Sequence, residues 1–284
     1  MSKALLPKIS IPQAIGLTFL AKFSLALLFT LAVHLHRGDA AALAGRLASD
    51  PFILASIQFI AFGGVLALGL ALAAPKESLP DAIALRRIGA RELLTSLIAG
   101  LALAIVLSEA DNLLRELRPL REHERAQLSR LLDQDGLIRH LGLAFAISIV
   151  APITEEALFR GLILRGLART RGPYLALLLS AVLFGLGHID PSPDLNWPTF
   201  FVTFAAGLYL GWITLVSGSI TPAILIHAAH NAVALIPADR FLIRGLNDLS
   251  DETTHLPVAS VAVAALSLLI AAVFFTRRDP STTS

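Results

Sequence analysis

The stretch that decides the fold is residues 138–164, which read IRHLGLAFAISIVAPITEEALFRGLIL. It is apolar almost throughout, yet it carries Glu155, Glu156 and Arg160 within six residues. A charged side chain at the centre of a bilayer costs about 2.5–3.5 kcal/mol on insertion scales. Three such groups need a compensating role. Catalysis is the leading interpretation, and a buried polar cluster that only locks helices together is the alternative.

The composition of the whole chain predicts a membrane environment. Its 284 residues are 55% hydrophobic and only 15% charged, with a mean hydropathy of +0.73, whereas soluble domains carry about 25% charged residues. The apolar excess is Ala and Leu, which favours helices over a membrane barrel. We therefore predict an all-α, polytopic membrane protein with its active site inside the helical bundle.

Charge and cysteine content exclude several classes of function. The formal net charge is +2 and reflects loop arginines, so nucleic acid is not an expected partner. The chain has no cysteine, which excludes disulfides, thiolate metal ligands and a cysteine nucleophile. No secretory cleavage signature is expected, because the first apolar run is long enough to remain as a membrane helix.

Eight apolar segments approach the roughly 20 residues that a membrane-spanning helix needs. They are residues 12–35, 52–74, 92–109, 138–165, 174–189, 197–217, 221–237 and 256–275. The fifth and the seventh are short. The sequence thus predicts about eight transmembrane helices.

These segments divide the chain into three parts. Residues 1–137 form N-terminal membrane helices and a connector, residues 138–237 form a catalytic core, and residues 238–284 form a loop, the last helix and a tail. The connector, residues 111–134, mixes leucines with charges and predicts an amphipathic helix on the membrane surface, broken near Pro119. A solvated loop helix without a special role is the alternative.

Loop Lys and Arg residues favour one orientation of the chain. With the N-terminus inside, the inner segments hold Lys3, Lys8, Lys76, Arg86, Arg87, Arg91, Arg165, Arg169, Arg171, Arg277 and Arg278. The outer segments hold a group of six arginines from Arg115 to Arg139, which acidic residues dilute, and a few more. The prediction is a multi-pass protein of the cell inner (plasma) membrane with both termini in the cytoplasm.

Helical spacing assigns different roles to the three charges. Glu156 and Arg160 are i and i+4 with the acid first, which is the favourable order for an ion pair. Glu155 lies about 100° round the helix from Glu156, so it can face a cavity while its neighbour is neutralised. Lys22, a cation in the first apolar segment, is interpreted as snorkelling towards an interface.

Two later segments carry polar groups at a comparable depth. Glu155 and His188 are equally far from the turn at residues 171–172, so an antiparallel hairpin places both about 15 Å from the membrane edge. His227 and Asn231 are i and i+4 and share a helix face. Three helices are therefore expected to offer polar groups at one level of the cytoplasmic half.

Two chemistries fit these groups. In the first, Glu155 and His188 hold and deprotonate a water that attacks a peptide carbonyl, and His227 and Asn231 stabilise the oxyanion. In the second, Glu155, His188 and His227 bind zinc and leave an open position for the water. A serine mechanism is disfavoured, because no Gly-x-Ser-x-Gly pattern is present.

The spacing of these residues also resembles the motifs of a known family, the CPBP family, also called the Abi or CAAX-protease family. The motifs, in chain order, are Glu155-Glu156-x-x-x-Arg160, Phe184-x-x-x-His188 and His227-x-x-x-Asn231. The resemblance covers roughly residues 138–237. It implies an intramembrane endopeptidase, related to type II CaaX prenyl endopeptidases, in which Glu156 and Arg160 shape the pocket or position the substrate.

The resemblance gives roles to the other motif residues as well. It implies that Glu155 and His188 activate the water, while His227 and Asn231 form the oxyanion site or complete a metal site. Family members are commonly called metalloproteases, so a divalent metal, zinc, is the cofactor to test.

The predicted function is hydrolysis of a peptide bond in a membrane-associated or C-terminally modified substrate. Its expected partners are that peptide and the lipid bilayer. The alternative is a catalytically silent membrane scaffold or bacteriocin-immunity type protein that binds a partner, although every proposed catalytic position is filled. A proton-coupled transporter is disfavoured, because the polar groups cluster at one level and no related halves are evident.

Overall fold

The computed structural model describes residues 8–35, 44, 47, 49–73, 78–189, 195–236, 243–247, 249 and 253–277. Within these residues every regular element is helical, which confirms the all-α prediction. The helices are α1 Ile11–His34, α2 Pro51–Ala73, α3 Leu79–Ala82, α4 Ala90–Leu117, α5 Glu122–Leu132, α6 Gly136–Arg171, α7 Pro173–His188, α8 Trp197–Ser217, α9 Thr221–Ala234 and α10 Val258–Thr276.

Local sequence signals explain where several helices begin and end. Ser10 caps α1, because its hydroxyl accepts the Gln13 backbone N–H while the Gln13 side chain accepts the Ser10 N–H. Proline occupies the first or second position of α2, α7, α8 and α9, where a missing N–H costs least. Gly172 and Gly218, both with positive φ, separate α6 from α7 and end α8.

Six helices among the described residues are long and apolar enough to cross a bilayer, namely α1, α2, α4, α6, α8 and α10. Helices also occupy the other two predicted segments, but α7 has 16 residues and α9 has 14. At 1.5 Å per residue they are about 24 Å and 21 Å long, shorter than a hydrocarbon core of about 30 Å. The polytopic prediction is confirmed, whereas the count of eight spans is not.

Hydrogen bonds at the helix ends define the two ends of the bundle. At one end, which we call the turn end, the Ile9 N–H donates to the Gly166 carbonyl and the Ile220 N–H donates to the Ala84 carbonyl. Arg165 of α6 also donates to the Ala82 carbonyl, so the start of α1, the α6–α7 turn and the α8–α9 turn lie at the same end. Both α6 and α8 reach this end, and α7 and α9 start from it.

The opposite end carries the predicted connector, and we call it the connector end. Gln134, just before α6, donates to the Ser49 carbonyl before α2, and Asn112 of α4 donates to the Gly245 carbonyl. The predicted break near Pro119 is present, because α4 ends at Leu117 and α5 begins at Glu122. Residues 111–117 of the predicted connector, however, are the last two turns of α4 rather than part of a separate helix.

Helix α6, which carries Glu155, Glu156 and Arg160, is not α-helical throughout. Two π-helical segments, Ala146–Val150 and Ala157–Leu164, lie on either side of the α-helical turn that contains Glu155 and Glu156. A π segment adds a residue to each turn and is frequent at functional sites. The side chains of the second segment are buried, so α6 is the central helix of the core.

Close contact between α4 and α9 depends on a glycine, which makes a test of the packing. A Cβ at position 100 would lie 2.6 Å from the Ile226 carbonyl oxygen of α9, whereas no described atom lies within 4 Å of a Cβ at Gly64. An interior helical Gly is about 0.5–1 kcal/mol less favourable than Ala. We expect Gly64→Ala to leave the melting temperature in detergent unchanged or raised, and Gly100→Ala to lower it, because overpacking costs about 1–3 kcal/mol. Equal effects of the two variants would contradict this packing.

Candidate active site

The predicted ion pair within α6 is present and fully buried. Arg160 Nη1 donates to Glu156 Oε1 at 2.9 Å, and neither side chain is exposed. The guanidinium also donates to the Gly207 carbonyl of α8 at 3.4 Å and lies 4.1 Å from the centre of the Phe184 ring of α7, a favourable cation–π geometry. One arginine thus joins α6, α7 and α8.

His227 of α9 completes this group. Its Nδ1 donates to the same Glu156 oxygen at 2.9 Å, so Glu156, Arg160 and His227 form one buried unit, which we call the ion cluster. His227 was expected beside Glu155 and His188, but its Nδ1 contacts Glu156 instead. Of the two neighbouring carboxylates of α6, Glu156 is therefore the one that faces α9.

Asn231, one turn further along α9, is also bound to α6. Its side-chain amide donates to the Ile147 carbonyl at 2.8 Å, and Ile147 belongs to the first π segment. A π segment leaves backbone carbonyls without their usual i+4 donors, which explains why this one accepts a side-chain bond. The oxyanion role of His227 and Asn231 stays a prediction, and in this arrangement both carry contacts to α6.

Glu155 and His188 meet as the hairpin symmetry predicted. Glu155 Oε2 lies 3.7 Å from His188 Nε2, which is longer than a direct hydrogen bond. His188 Nδ1 lies 2.7 Å from the Phe184 carbonyl. Because a carbonyl only accepts, we assign the imidazole proton to Nδ1, which leaves the Nε2 lone pair facing the carboxylate.

The second Glu155 oxygen is held by a residue that the sequence analysis missed. Gln58 of α2 donates from Nε2 to Glu155 Oε1 at 3.0 Å. Glu155 Oε2, in contrast, is buried without a hydrogen-bond partner among the described residues. The signal that could have found Gln58 is that it is the one amide side chain of α2, whose other residues are apolar except Ser56.

Glu155 and His188 share a small cavity of about 200 Å³, which we call the inner cavity. Its lining also includes Gln58 and Lys22 of α1. Lys22 was expected to snorkel to an interface, but it is half-buried and its Nζ donates to the Gly187 carbonyl at 3.0 Å. An ionisable group inside a membrane is a functional candidate by default, which makes Lys22 a candidate as well.

A larger cavity of about 790 Å³ lies on the other side of His188, at the connector end, and we call it the outer cavity. Its lining comes from the ends of α4 and α7, from α5 and from the start of α8. Charged and polar side chains, among them Asp111, Arg115, Arg118, Glu124, Gln127 and Arg130, line it together with an apolar surface that is larger in area. His188 therefore forms part of the wall of both cavities.

Glu155 and His188 lie at the same level of the bundle, as expected, since Glu155 Oε2 is 3.7 Å from His188 Nε2. His188 is the last residue of α7 and also borders the outer cavity at the connector end. The depth of about 15 Å from one membrane edge stays a prediction.

Beside the outer cavity, an ion pair joins the end of α4 to the start of α5. Arg118 donates to both oxygens of Glu124, at 2.6 and 2.9 Å. Burial raises the pKa of Glu124, but the hydrogen bonds from Arg118 and from the Arg121 backbone N–H outweigh it and hold that pKa below its ordinary value. Glu124 is therefore ionised at neutral pH, and the pair fixes the start of α5 against the end of α4.

The three predicted metal ligands are only partly brought together. No group of three or more His, Cys, Asp or Glu side chains in the described part of the chain is arranged to hold a metal ion. Glu155 and His188 face each other, whereas His227 Nδ1 is bound to Glu156, a contact that leaves its Nε2 as the possible ligand atom. We therefore derive no catalytic step through a metal, and zinc stays a prediction.

Comparison with known proteins places the site inside a recognised family pattern. Residues 138–233 match the family model described as type II CAAX prenyl endopeptidase, Rce1-like. No curated protein and no solved structure matches the chain. The match confirms the resemblance drawn from the motifs, from α6 to α9. Lys22 and Gln58 lie outside the matched residues.

The ion cluster makes a testable prediction about stability. Removing one member of a buried ion pair leaves an uncompensated charge and costs about 3–5 kcal/mol. We expect Arg160→Met to lower the free energy of unfolding by that amount, and Glu156→Gln added to Arg160→Met to restore part of it. Thermal unfolding in detergent measures both. A double variant that is less stable than Arg160→Met would show that the two charges do not compensate each other.

Proposed function

We propose that the chain is an intramembrane endopeptidase that uses a water held between Glu155 and His188 to hydrolyse a peptide bond. The observation that carries this proposal is the approach of Glu155 Oε2 to His188 Nε2 at 3.7 Å in the inner cavity. The match of residues 138–233 to an endopeptidase family supports it.

The two facing atoms are both hydrogen-bond acceptors. An ionised carboxylate accepts only, and the assigned tautomer leaves His188 Nε2 with a lone pair. Two acceptors cannot bond each other, but a water molecule can donate one O–H to each of them. A polar separation of more than 3.5 Å is the spacing at which a bridging water is expected. The pair is therefore suited to orient a water with its oxygen lone pairs turned away from both groups.

Gln58 makes this orientation specific. Because its amide holds Glu155 Oε1 at 3.0 Å, the carboxylate cannot rotate freely, and Oε2 faces His188. The Nδ1–H bond to the Phe184 carbonyl fixes the imidazole in the same way. Both groups are thus preorganised before the substrate arrives, which is the condition for efficient general-base catalysis.

The reaction then proceeds in two steps. The water oxygen forms a bond to the peptide carbonyl carbon as Glu155 takes one of its protons, and the carbonyl π electrons move to the oxygen. The tetrahedral intermediate collapses when Glu155 returns that proton to the peptide nitrogen and the carbon–nitrogen bond breaks. The products are a carboxylic acid and an amine, and Glu155 is ionised again.

The ion cluster has a structural part in this proposal. Glu156, Arg160 and His227 join α6, α8 and α9, and Phe184 packs between Arg160 and His188, with ring centres 4.4 Å apart for the two aromatic rings. The cluster therefore holds the helices that carry Glu155 and His188 in register. In the motif Glu155-Glu156-x-x-x-Arg160, Glu155 is thus the proposed general base and Glu156 has a structural role.

The outer cavity is the proposed route for the substrate. It reaches His188 from the connector end, and its mixed lining offers charged and polar groups to a peptide backbone beside apolar surface for side chains. The family description names CAAX prenyl endopeptidases, so a C-terminal peptide that carries a prenyl group is the substrate class to try first. Its peptide segment would occupy the cavity while its lipid stays in the bilayer.

Substitution of the acid and the imidazole tests the mechanism. We expect Glu155→Gln and His188→Asn each to reduce cleavage of a farnesylated, quenched-fluorescent peptide by 10²-fold or more, because a general base contributes about 10²–10⁴-fold. Glu122→Gln, on the exposed face of α5, is the matched control and should cleave at the normal rate. The melting temperatures of all variants are compared in the same detergent.

Normal turnover by folded Glu155→Gln protein would overturn the mechanism. Restoration of a knockout phenotype by that variant would support the catalytically silent scaffold instead. Metal content and a chelator titration are measured on the same preparations. Activity that survives removal of metal supports a side-chain mechanism, and activity that zinc restores would require a metal-bound water.

A further inference from the structure

We infer that Lys22 of α1 is a catalytic residue of the proposed endopeptidase, whose ammonium stabilises the negative charge that forms on the substrate carbonyl oxygen. The inference rests on the proposed function of Glu155 and His188. It adds a residue that lies outside the three motifs and outside the matched residues 138–233.

Lys22 lies where such a group is needed. It lines the inner cavity together with Glu155 and His188, and its Nζ donates to the carbonyl of Gly187, the residue directly before His188. An ammonium, a carboxylate and an imidazole thus share one space of about 200 Å³. A carbonyl group that is attacked by the water in this cavity would have its oxygen within the field of the ammonium.

The charge of Lys22 is separable from its bond to Gly187. A neutral amide side chain could hold the Gly187 carbonyl equally well, whereas a cation inside a membrane protein is costly. The Lys22 side chain is half-buried and lines the inner cavity beside Glu155 and His188. A positive charge at that position is suited to stabilise negative charge that develops within the cavity.

The donors expected from the motifs each hold a structural bond in this arrangement, although the Asn231 amide keeps a second N–H. His227 Nδ1 donates to Glu156 and the Asn231 amide donates to the Ile147 carbonyl. An ammonium has three N–H donors on a flexible stem, so it can follow the oxygen as charge develops. Donors placed at an oxyanion contribute most in a site of low dielectric constant, where water does not screen them.

The proposed step requires no reactant other than water and the peptide. As the water oxygen bonds to the carbonyl carbon, the π electron pair moves to the carbonyl oxygen, which then accepts an N–H of Lys22. On collapse the electron pair re-forms the double bond, the carbon–nitrogen bond breaks, and the nitrogen takes the proton held by Glu155. Lys22 keeps its proton throughout and acts through charge alone.

Three substitutions separate the charge of Lys22 from its structural bond. Lys22→Met removes both the charge and the donor, Lys22→Gln keeps a neutral donor for Gly187, and Lys22→Arg keeps the charge. We expect Met and Gln to lower kcat by about 10²–10³-fold, the loss typical of one oxyanion donor, with KM changed less than about threefold. Arg should restore at least a tenth of the wild-type kcat. Lys8→Met, at an exposed position before α1, is the matched control.

The kinetic pattern decides between the two roles. If Lys22→Gln cleaves at the wild-type rate, Lys22 is a tether for the end of α7 and the inference is wrong. If Lys22→Met does not fold, the Gln and Arg variants decide the question by themselves. Glu155→Gln, assayed in parallel, separates the two proposals: its inactivity beside an active Lys22→Gln removes only the role of Lys22, whereas its full activity removes the proposed function.

Discussion

The structure depends on the neutralisation of one buried carboxylate. Glu156 is fully buried in α6 and receives Arg160 from its own helix and His227 from α9, each at 2.9 Å. In a surrounding of low dielectric constant an unpaired carboxylate or guanidinium is expensive, so these contacts allow little freedom in how α9 and α8 approach α6. The arrangement of the helices around the site is thereby set by charge as well as by packing, which is important in lipid, where apolar surfaces give helices little reason to choose one partner over another.

This neutralisation separates two carboxylates that are adjacent in sequence. Glu156 is bound to the Arg160 guanidinium and to the His227 imidazole. Glu155, about 100° round the helix, faces the inner cavity and the unprotonated Nε2 of His188. The same short motif can therefore contain an acid that holds the bundle together and an acid that is available for chemistry. The π segments before and after this turn of α6 contribute, because they change the direction in which the helix presents its side chains.

The sequence predicted those features that follow from spacing along one helix or one hairpin. The Glu156–Arg160 pair is an i, i+4 contact, and the meeting of Glu155 with His188 follows from equal distances to one turn. Contacts between distant helices were not predictable in this way. His227 is 71 residues from Glu156, and Gln58 is 97 residues from Glu155, so their pairing depends on how whole helices pack. The count of membrane spans was open for a different reason: the segments that form α7 and α9 are short already in the sequence, and hydropathy alone does not decide whether such a segment crosses a bilayer.

The division between matched and unmatched helices has a consequence for substrate choice. Helices α6 to α9 carry both acids, both imidazoles and Arg160, so the reactive groups lie within the residues that match the endopeptidase family. The inner cavity is completed by Lys22 of α1 and Gln58 of α2, and the outer cavity by α4 and α5, which all lie outside that match. On the proposed mechanism, the groups that cleave the bond therefore come from one part of the chain, and the charge and shape that a substrate would meet come largely from another. A second protein with the same three motifs but different N-terminal helices is then expected to keep the Glu–His pair and to present it to a different peptide.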